Sequence, residues 1–147
     1  MRRKRSIALV IREHDDDGRV AGCGATGRWL VVRRPDDDED LPGVWGLPAG
    51  TSAPHESEED LVRRIGREKL GVRLEPGARV ASGSTERPGY TLEMDLWTAR
   101  LGSGGVDLGR GPETTTRYSD WKWDGPPALE DGARAGSLCC RLGLELV

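Results

Sequence analysis

An α+β fold is predicted for this 147-residue chain by three features. Apolar, β-forming runs stand at residues 7–11, 29–34 and 90–99. One clearly amphipathic helical stretch begins at Ser57, and a second helical stretch lies near the C-terminal end. No repeated strand–helix–strand unit joins them, so the order does not suit a wound parallel array. The length fits a single domain over residues 1–147, and the sequence leaves open whether the basic residues 1–5 are ordered or disordered. The composition is 35% hydrophobic and 32% charged, and the apolar residues come in dense runs that can build a core.

The elements follow in order. Residues 7–11 are almost wholly apolar and read as a buried strand, broken by Asp15-Asp16-Asp17-Gly18. Residues 29–34 form a second strand. The five carboxylates of 36–40 then read as a solvated loop. Ser57 and Asp60 have capping-box spacing, and Glu58, Glu59 and Asp60 suit the positive end of a helix dipole. Leu61, Val62, Ile65 and Leu70 make the apolar stripe, and Gly71 sits where a helix stops. Residues 72–74 and 79–81 read as short strand pieces around a Pro76-Gly77 turn. In 90–99, Leu92, Met94 and Leu96 alternate with Glu93, Asp95 and Trp97. Trp121 and Trp123 would share one face of a strand. A helix over 128–142 is expected after Pro126-Pro127.

The balance of 22 basic and 25 acidic residues gives a net charge of −3. That argues against general nucleic-acid binding. No apolar run approaches a membrane span, so no membrane partner is expected. Three cysteines, one isolated at Cys23 and two adjacent at Cys139 and Cys140, make no disulfide framework and no metal-ligand spacing. A cytoplasmic location is the expectation.

The chemistry-bearing stretch starts at Gly50. Five residues later comes Glu56, then seven residues, then Arg64-Ile65-Gly66-Arg67-Glu68-Lys69-Leu70-Gly71-Val72. This resembles the Nudix family, whose box runs Gly, five residues, Glu, seven residues, Arg-Glu-apolar-any-Glu-Glu-any-Gly-apolar. Gly50, Glu56, Arg64, Glu68, Gly71 and Val72 match without a gap. The lead-in Trp45-Gly46-Leu47-Pro48-Ala49 and the late Trp123 before a Pro-rich turn are also similar. The resemblance implies an α/β/α sandwich with a mixed sheet, a central box helix and a C-terminal helix. It implies hydrolysis of a diphosphate linkage in a nucleoside diphosphate derivative with Mg2+ or Mn2+.

Three positions depart from the pattern: Ile65 and Lys69 stand where the family has Glu, and Gly66 where it has an apolar residue. Residues 65, 68 and 69 lie about one turn apart, so three carboxylates there would converge on one ion. This chain supplies only Glu68. By resemblance, the metal site draws on Glu68 and the Ala49 backbone carbonyl, with Glu113 a further ligand. Glu68 and Arg64 carry the catalytic role, and Gly50, Glu56 and Gly71 are structural. Glu86, Glu93, Asp95 and Asp120 are other carboxylates that could serve.

Lys69 is either a cation suited to the helix C-terminus or a direct contact to substrate phosphate. Trp45 and Tyr90 are candidates for the substrate site, since aromatic faces stack bases. Pro88 and Tyr90 point by resemblance to two different substrate branches and together decide nothing. A homodimer is a further expectation. Two other readings stay open: a Nudix-fold module that binds a nucleotide or a protein without hydrolysis, and an interaction domain whose acidic loop meets a basic partner. Loss of the clustered carboxylates favours the former.

Overall fold

The computed structural model describes residues 2–13, 28–38, 41–102, 105–108 and 117–146. Seven strands are present among them: β1 (Arg2–Ile11), β2 (Trp29–Arg33), β3 (Trp45–Gly46), β4 (Ala49–Thr51), β5 (Leu74–Arg87), β6 (Tyr90–Leu101) and β7 (Asp120–Asp124). The helices are α1 (Glu58–Ile65), α2 (Glu130–Arg134) and α3 (Leu138–Glu145). A wide π-helical segment, Gly66–Leu70, continues α1, and a 3-10 turn, Pro126–Leu129, precedes α2.

A four-stranded sheet has the order β4-β1-β6-β5, and a three-stranded sheet the order β3-β2-β7. β1 and β6 pair in parallel, from Arg2 opposite Tyr90 to Ile11 opposite Ala99, and the other pairs are antiparallel. The mixed sheet is therefore built as expected. The period of two along β1 then places the layers. Ile7, Leu9 and Ile11 pack with Leu61, Val62 and Ile65 of α1 on one face. Ala8 and Val10 pack with Leu129, Leu138, Cys140 and Leu142 on the other. Helices thus cover both faces, the sandwich that the resemblance implies.

α1 forms for the reasons read in its sequence. The Ser57 hydroxyl accepts the Asp60 N–H at 3.1 Å, and Leu61, Val62 and Ile65 are buried. Burial of each such side chain contributes about 1.5–3 kcal/mol. The winding ends where Gly71 takes φ 62°, and the Gly66 carbonyl accepts both the Gly71 and the Val72 N–H. Gly66 has to be small. A Cβ there would lie 2.6 Å from the Leu74 side chain and 2.7 Å from the Val72 carbonyl.

Residues 2–5 belong to β1, because the parallel partner β6 extends alongside them. Two expectations need correction. Residues 72–74 and 79–81 do not flank a turn. One long strand, β5, runs through Pro76-Gly77 as an irregularity in register, and the Thr98 hydroxyl takes the Ala78 N–H at 3.0 Å. The expected 128–142 helix is broken into a 3-10 turn, α2 and α3. Gly136 at φ 98° ends the first part, and Ser137 caps the next through the Cys140 N–H at 3.4 Å.

Candidate functional site

The loop between β4 and α1 is held by one arginine. Arg64 donates from Nε to Glu56 Oε2 at 2.8 Å and from Nη2 to Glu56 Oε1 at 3.0 Å, a two-pronged carboxylate contact. The same Nη2 reaches the Thr51 carbonyl at 2.7 Å. Glu56 Oε1 also accepts the Ala53 N–H at 3.1 Å. The hydrogen bond from Arg64 lowers the Glu56 carboxyl below the usual carboxylate range, and Glu56 in turn raises Arg64. These bonds lock a loop that contains His55 at φ 63°, a backbone position few side chains adopt freely. Glu56 is thus structural in its contacts. Arg64 reaches Glu68 only loosely, at 3.7 Å, and Arg67 lies 3.8 Å from the same carboxylate.

At the other end of the motif stands Lys69. Its ammonium donates to the Ala49 carbonyl at 2.6 Å. Tyr118 closes the same backbone group: its hydroxyl accepts the Ala49 N–H at 3.0 Å and donates to the Ala49 carbonyl at 3.2 Å. The Lys69 ammonium also lies 5.6 Å from the Tyr118 ring centre. Burial brings the Lys69 pKa down to about 8, with Arg34, Arg64 and Lys4 acting in the same direction and Glu68 against it. Burial pushes the Tyr118 phenol up to about 12, so it stays protonated as a donor.

Beside this cluster lies a cavity of 140 Å3 between β1, β4 and the start of β6. Lys4, Arg34, Lys69 and Arg87 line it, with Tyr90 and the Ala49–Thr51 backbone; among the described residues no carboxylate does. Arg34 contacts Asp38 at 3.3 Å, and Arg87 donates to the Gly136 carbonyl at 2.9 Å.

The residues present can be tested against the metal that the resemblance implies. A divalent ion there would take the Ala49 carbonyl and Glu68. A carbonyl oxygen offers two lone pairs, and here Lys69 and Tyr118 engage both. One of those donors carries a positive charge at the position an ion would occupy. Among the described residues, no group of three His, Cys, Asp or Glu side chains could hold a metal ion. The donor set does not fit a magnesium ion, which favours carboxylate and phosphate oxygens.

The other expected residues are dispersed. Glu113 lies outside the described residues, as does Cys23. Glu93 faces Arg3 at 3.5 Å. Asp95 is 3.7 Å from Arg5 and 3.8 Å from Arg79, and its hydrogen bond with Glu58 raises the Glu58 carboxyl. Asp120 accepts the Trp121 N–H at 2.8 Å. Tyr90 reaches the cavity, with the Lys4 ammonium 5.8 Å from its ring centre. Trp45 sits against the C-terminal helices under the Lys122 ammonium, 4.4 Å from its ring centre, and does not line the cavity. Trp121 and Trp123 meet edge-to-face at 6.1 Å against the α1-side core, sharing a strand face as expected.

Sequence reasoning missed Lys4, Arg34, Arg87 and Tyr118 as site neighbours. Only Tyr118 carried a signal, as the one aromatic residue in the polar stretch that precedes Trp121.

No family model matches the chain. It is 32% identical over 71 residues to the CTP pyrophosphohydrolase of Escherichia coli (strain K12), covering 48% of this chain and 52% of that protein. The chain thus spans about half the length of the curated relative it matches. Solved structures resemble it over more of its length. The MutT NUDIX hydrolase from Burkholderia pseudomallei superposes with a TM-score of 0.71 at 24% identity, over 100% of this chain and 99% of its own. The MutT protein from Methanosarcina mazei Go1 gives 0.66 at 19% identity, over 88% and 82% of the two chains. An Ap4A hydrolase from C. elegans gives 0.64 at 20%, over 96% and 91%. With α1 and its preceding loop braced by Arg64 and Glu56 beside a mixed sheet covered on both faces, this chain has the Nudix hydrolase fold.

Proposed function

We propose that the chain binds a nucleoside diphosphate derivative beside β4 and hydrolyses its diphosphate linkage. The observation that carries this reading is the Arg64–Glu56–Thr51 brace, which fixes the β4–α1 loop against the helical segment that carries the half-buried Glu68. The likeness to a CTP pyrophosphohydrolase supports the substrate class. In the reaction, a water oxygen bonds to phosphorus and the bridging P–O bond breaks. Two phosphate groups part and a proton is released. Glu68 is the carboxylate assigned to that chemistry, and Arg64, 3.7 Å from it, fixes the loop beside it. The half-buried cations beside Ala49 hold the phosphate oxygens in a partly desolvated cavity, where charge acts more strongly than in water. No step is assigned to Mg2+ or Mn2+, because the donor set does not fit one. Turnover is expected to be low with one carboxylate of three retained. The free thiols of Cys139 and Cys140 suit a reducing, cytoplasmic setting.

The test is phosphate or nucleoside monophosphate release from a panel of nucleoside diphosphate derivatives, run with magnesium, with manganese and with EDTA. The wild type should release product, and Glu68→Gln should lower the rate by about 10²–10⁴-fold, the range of a positioned acid or base. A wild type inert across the panel ends the hydrolase reading. A second reading, binding without hydrolysis, is favoured by the Lys69 ammonium on the Ala49 carbonyl. Calorimetric binding with no product release would select it.

A further inference from the structure

The geometry points to the cavity beside Lys69 as a site that takes a diphosphate group directly, without a divalent cation, on the side chains of Lys69, Arg34, Lys4 and Arg87. This deepens the functional reading above and rests on its placement of the ligand at β4. The positive groups come from separate parts of the chain: Lys4 on β1, Arg34 just after β2, Lys69 after α1 and Arg87 at the end of β5. Four cations around a space of 140 Å3 repel one another, and no carboxylate among the described residues lines the space to offset them. Arg34 is paired with a carboxylate, through Asp38 at 3.3 Å. An anion would relieve that repulsion.

The volume is small beside the roughly 300–1,000 Å3 of pockets that enclose a whole drug-sized ligand. It suits an anionic head, with the remainder of the molecule outside near Tyr90. Arginine forks and a lysine point charge are the two side-chain means of holding phosphate oxygens. The Lys69 ammonium keeps two of its three N–H groups after bonding to Ala49, so it can hold the backbone and a phosphate oxygen together. The ammonium would thus join the β4 carbonyl to a phosphate oxygen. Most of the positive charge in the cavity is thereby covalently attached and needs no free ion.

Isothermal titration with inorganic pyrophosphate, and separately with a nucleoside diphosphate, in EDTA and in magnesium tests this. Pyrophosphate should bind in EDTA with at least the affinity it shows in magnesium. Lys69→Met should weaken it about tenfold or more, and Lys69→Arg should retain most of it. Should Lys69→Met fail to fold by circular dichroism, Arg87→Ala and Lys4→Ala at the cavity wall give the same readout and should each weaken binding severalfold. Binding that appears only when magnesium is added overturns the inference. Wild-type affinity in all folded variants does the same. Pyrophosphate binding in EDTA with no hydrolysis of any nucleotide keeps this site and removes the hydrolase reading. Magnesium-dependent hydrolysis with no binding in EDTA removes the site and keeps that reading.

Discussion

The loop ahead of α1 and the segment behind it are both tied to β4, by opposite means. Ahead of the helix, Arg64 and Glu56 neutralise each other and fasten the Thr51 carbonyl. Behind it, Lys69 fastens the Ala49 carbonyl, and among the described residues no carboxylate lines the cavity beside it. The first tie is closed and serves to hold shape. The second leaves positive charge unbalanced at the edge of an open space. The part that builds the loop and the part that carries the excess charge can therefore vary separately, because different residues make the two ties.

Substitutions that separate the two ties sharpen this contrast. The largest effect is expected from Ile65→Glu, which restores the family's residue by the spacing argument. Ile65 is 2% exposed and a Cβ on Gly50 would lie 2.8 Å from it, so no room exists for a hydrated carboxylate. A loss of about 3–5 kcal/mol in urea unfolding is expected, the scale of an unpaired buried charge. A stable Ile65→Glu protein would show that this position is a vacant ligand site.

Arg64→Ala comes next. It strands Glu56, whose side chain is 14% exposed, and should cost about 2–3 kcal/mol while pyrophosphate affinity in the folded fraction falls less than it does in Lys69→Met. The reverse order would merge the two ties into one. Tyr118→Phe leaves the Ala49 N–H without its acceptor and should cost about 1–2 kcal/mol by thermal unfolding. An unchanged midpoint would mean that the phenol is not part of the tie.

The smallest effect is the pH response. Lys69 loses its proton near pH 8, below the range of an unfolded lysine, so the folded chain binds fewer protons above that point. Two trends follow. Pyrophosphate affinity should fall as pH rises through about 8, as Lys69 gives up its charge among Arg34, Arg64, Lys4, Glu68 and Tyr118. The Lys69 share of folding stability should rise from there to the ordinary lysine range, and this rise should vanish in Lys69→Met. A flat binding profile, or one that rises, would contradict the assigned role of the ammonium.

What could be read from sequence divides along the same line. α1 was legible because its cap, its acids and its stripe all lie within ten residues of Ser57. The alternation in β6 and the shared face of Trp121 and Trp123 were legible for the same local reason. β5 was not, since Pro76-Gly77 has turn chemistry and only the distant Thr98 hydroxyl shows that the strand continues. The break at Gly136 was hidden inside a helix-like composition. The structural part of Glu56 followed from the motif, but its partner did not: spacing pairs Arg64 with Glu68 four residues on, and only the fold turns it to Glu56. The cavity did not, because Lys4, Arg34 and Arg87 join Lys69 only when four separate segments meet.

The π-helical winding of Gly66–Leu70 has a consequence for how such motifs are compared between chains. Position counting along a motif treats the helix as an evenly graduated ruler. Here the graduations widen after Ile65, and the Gly66 carbonyl serves the N–H groups of both Gly71 and Val72. Two chains aligned without a gap through this segment can still aim the same numbered position at different neighbours. A lysine aligned with a glutamate then marks a different direction as well as a different charge. Scoring it as a simple loss of one ligand misses the partner it has acquired.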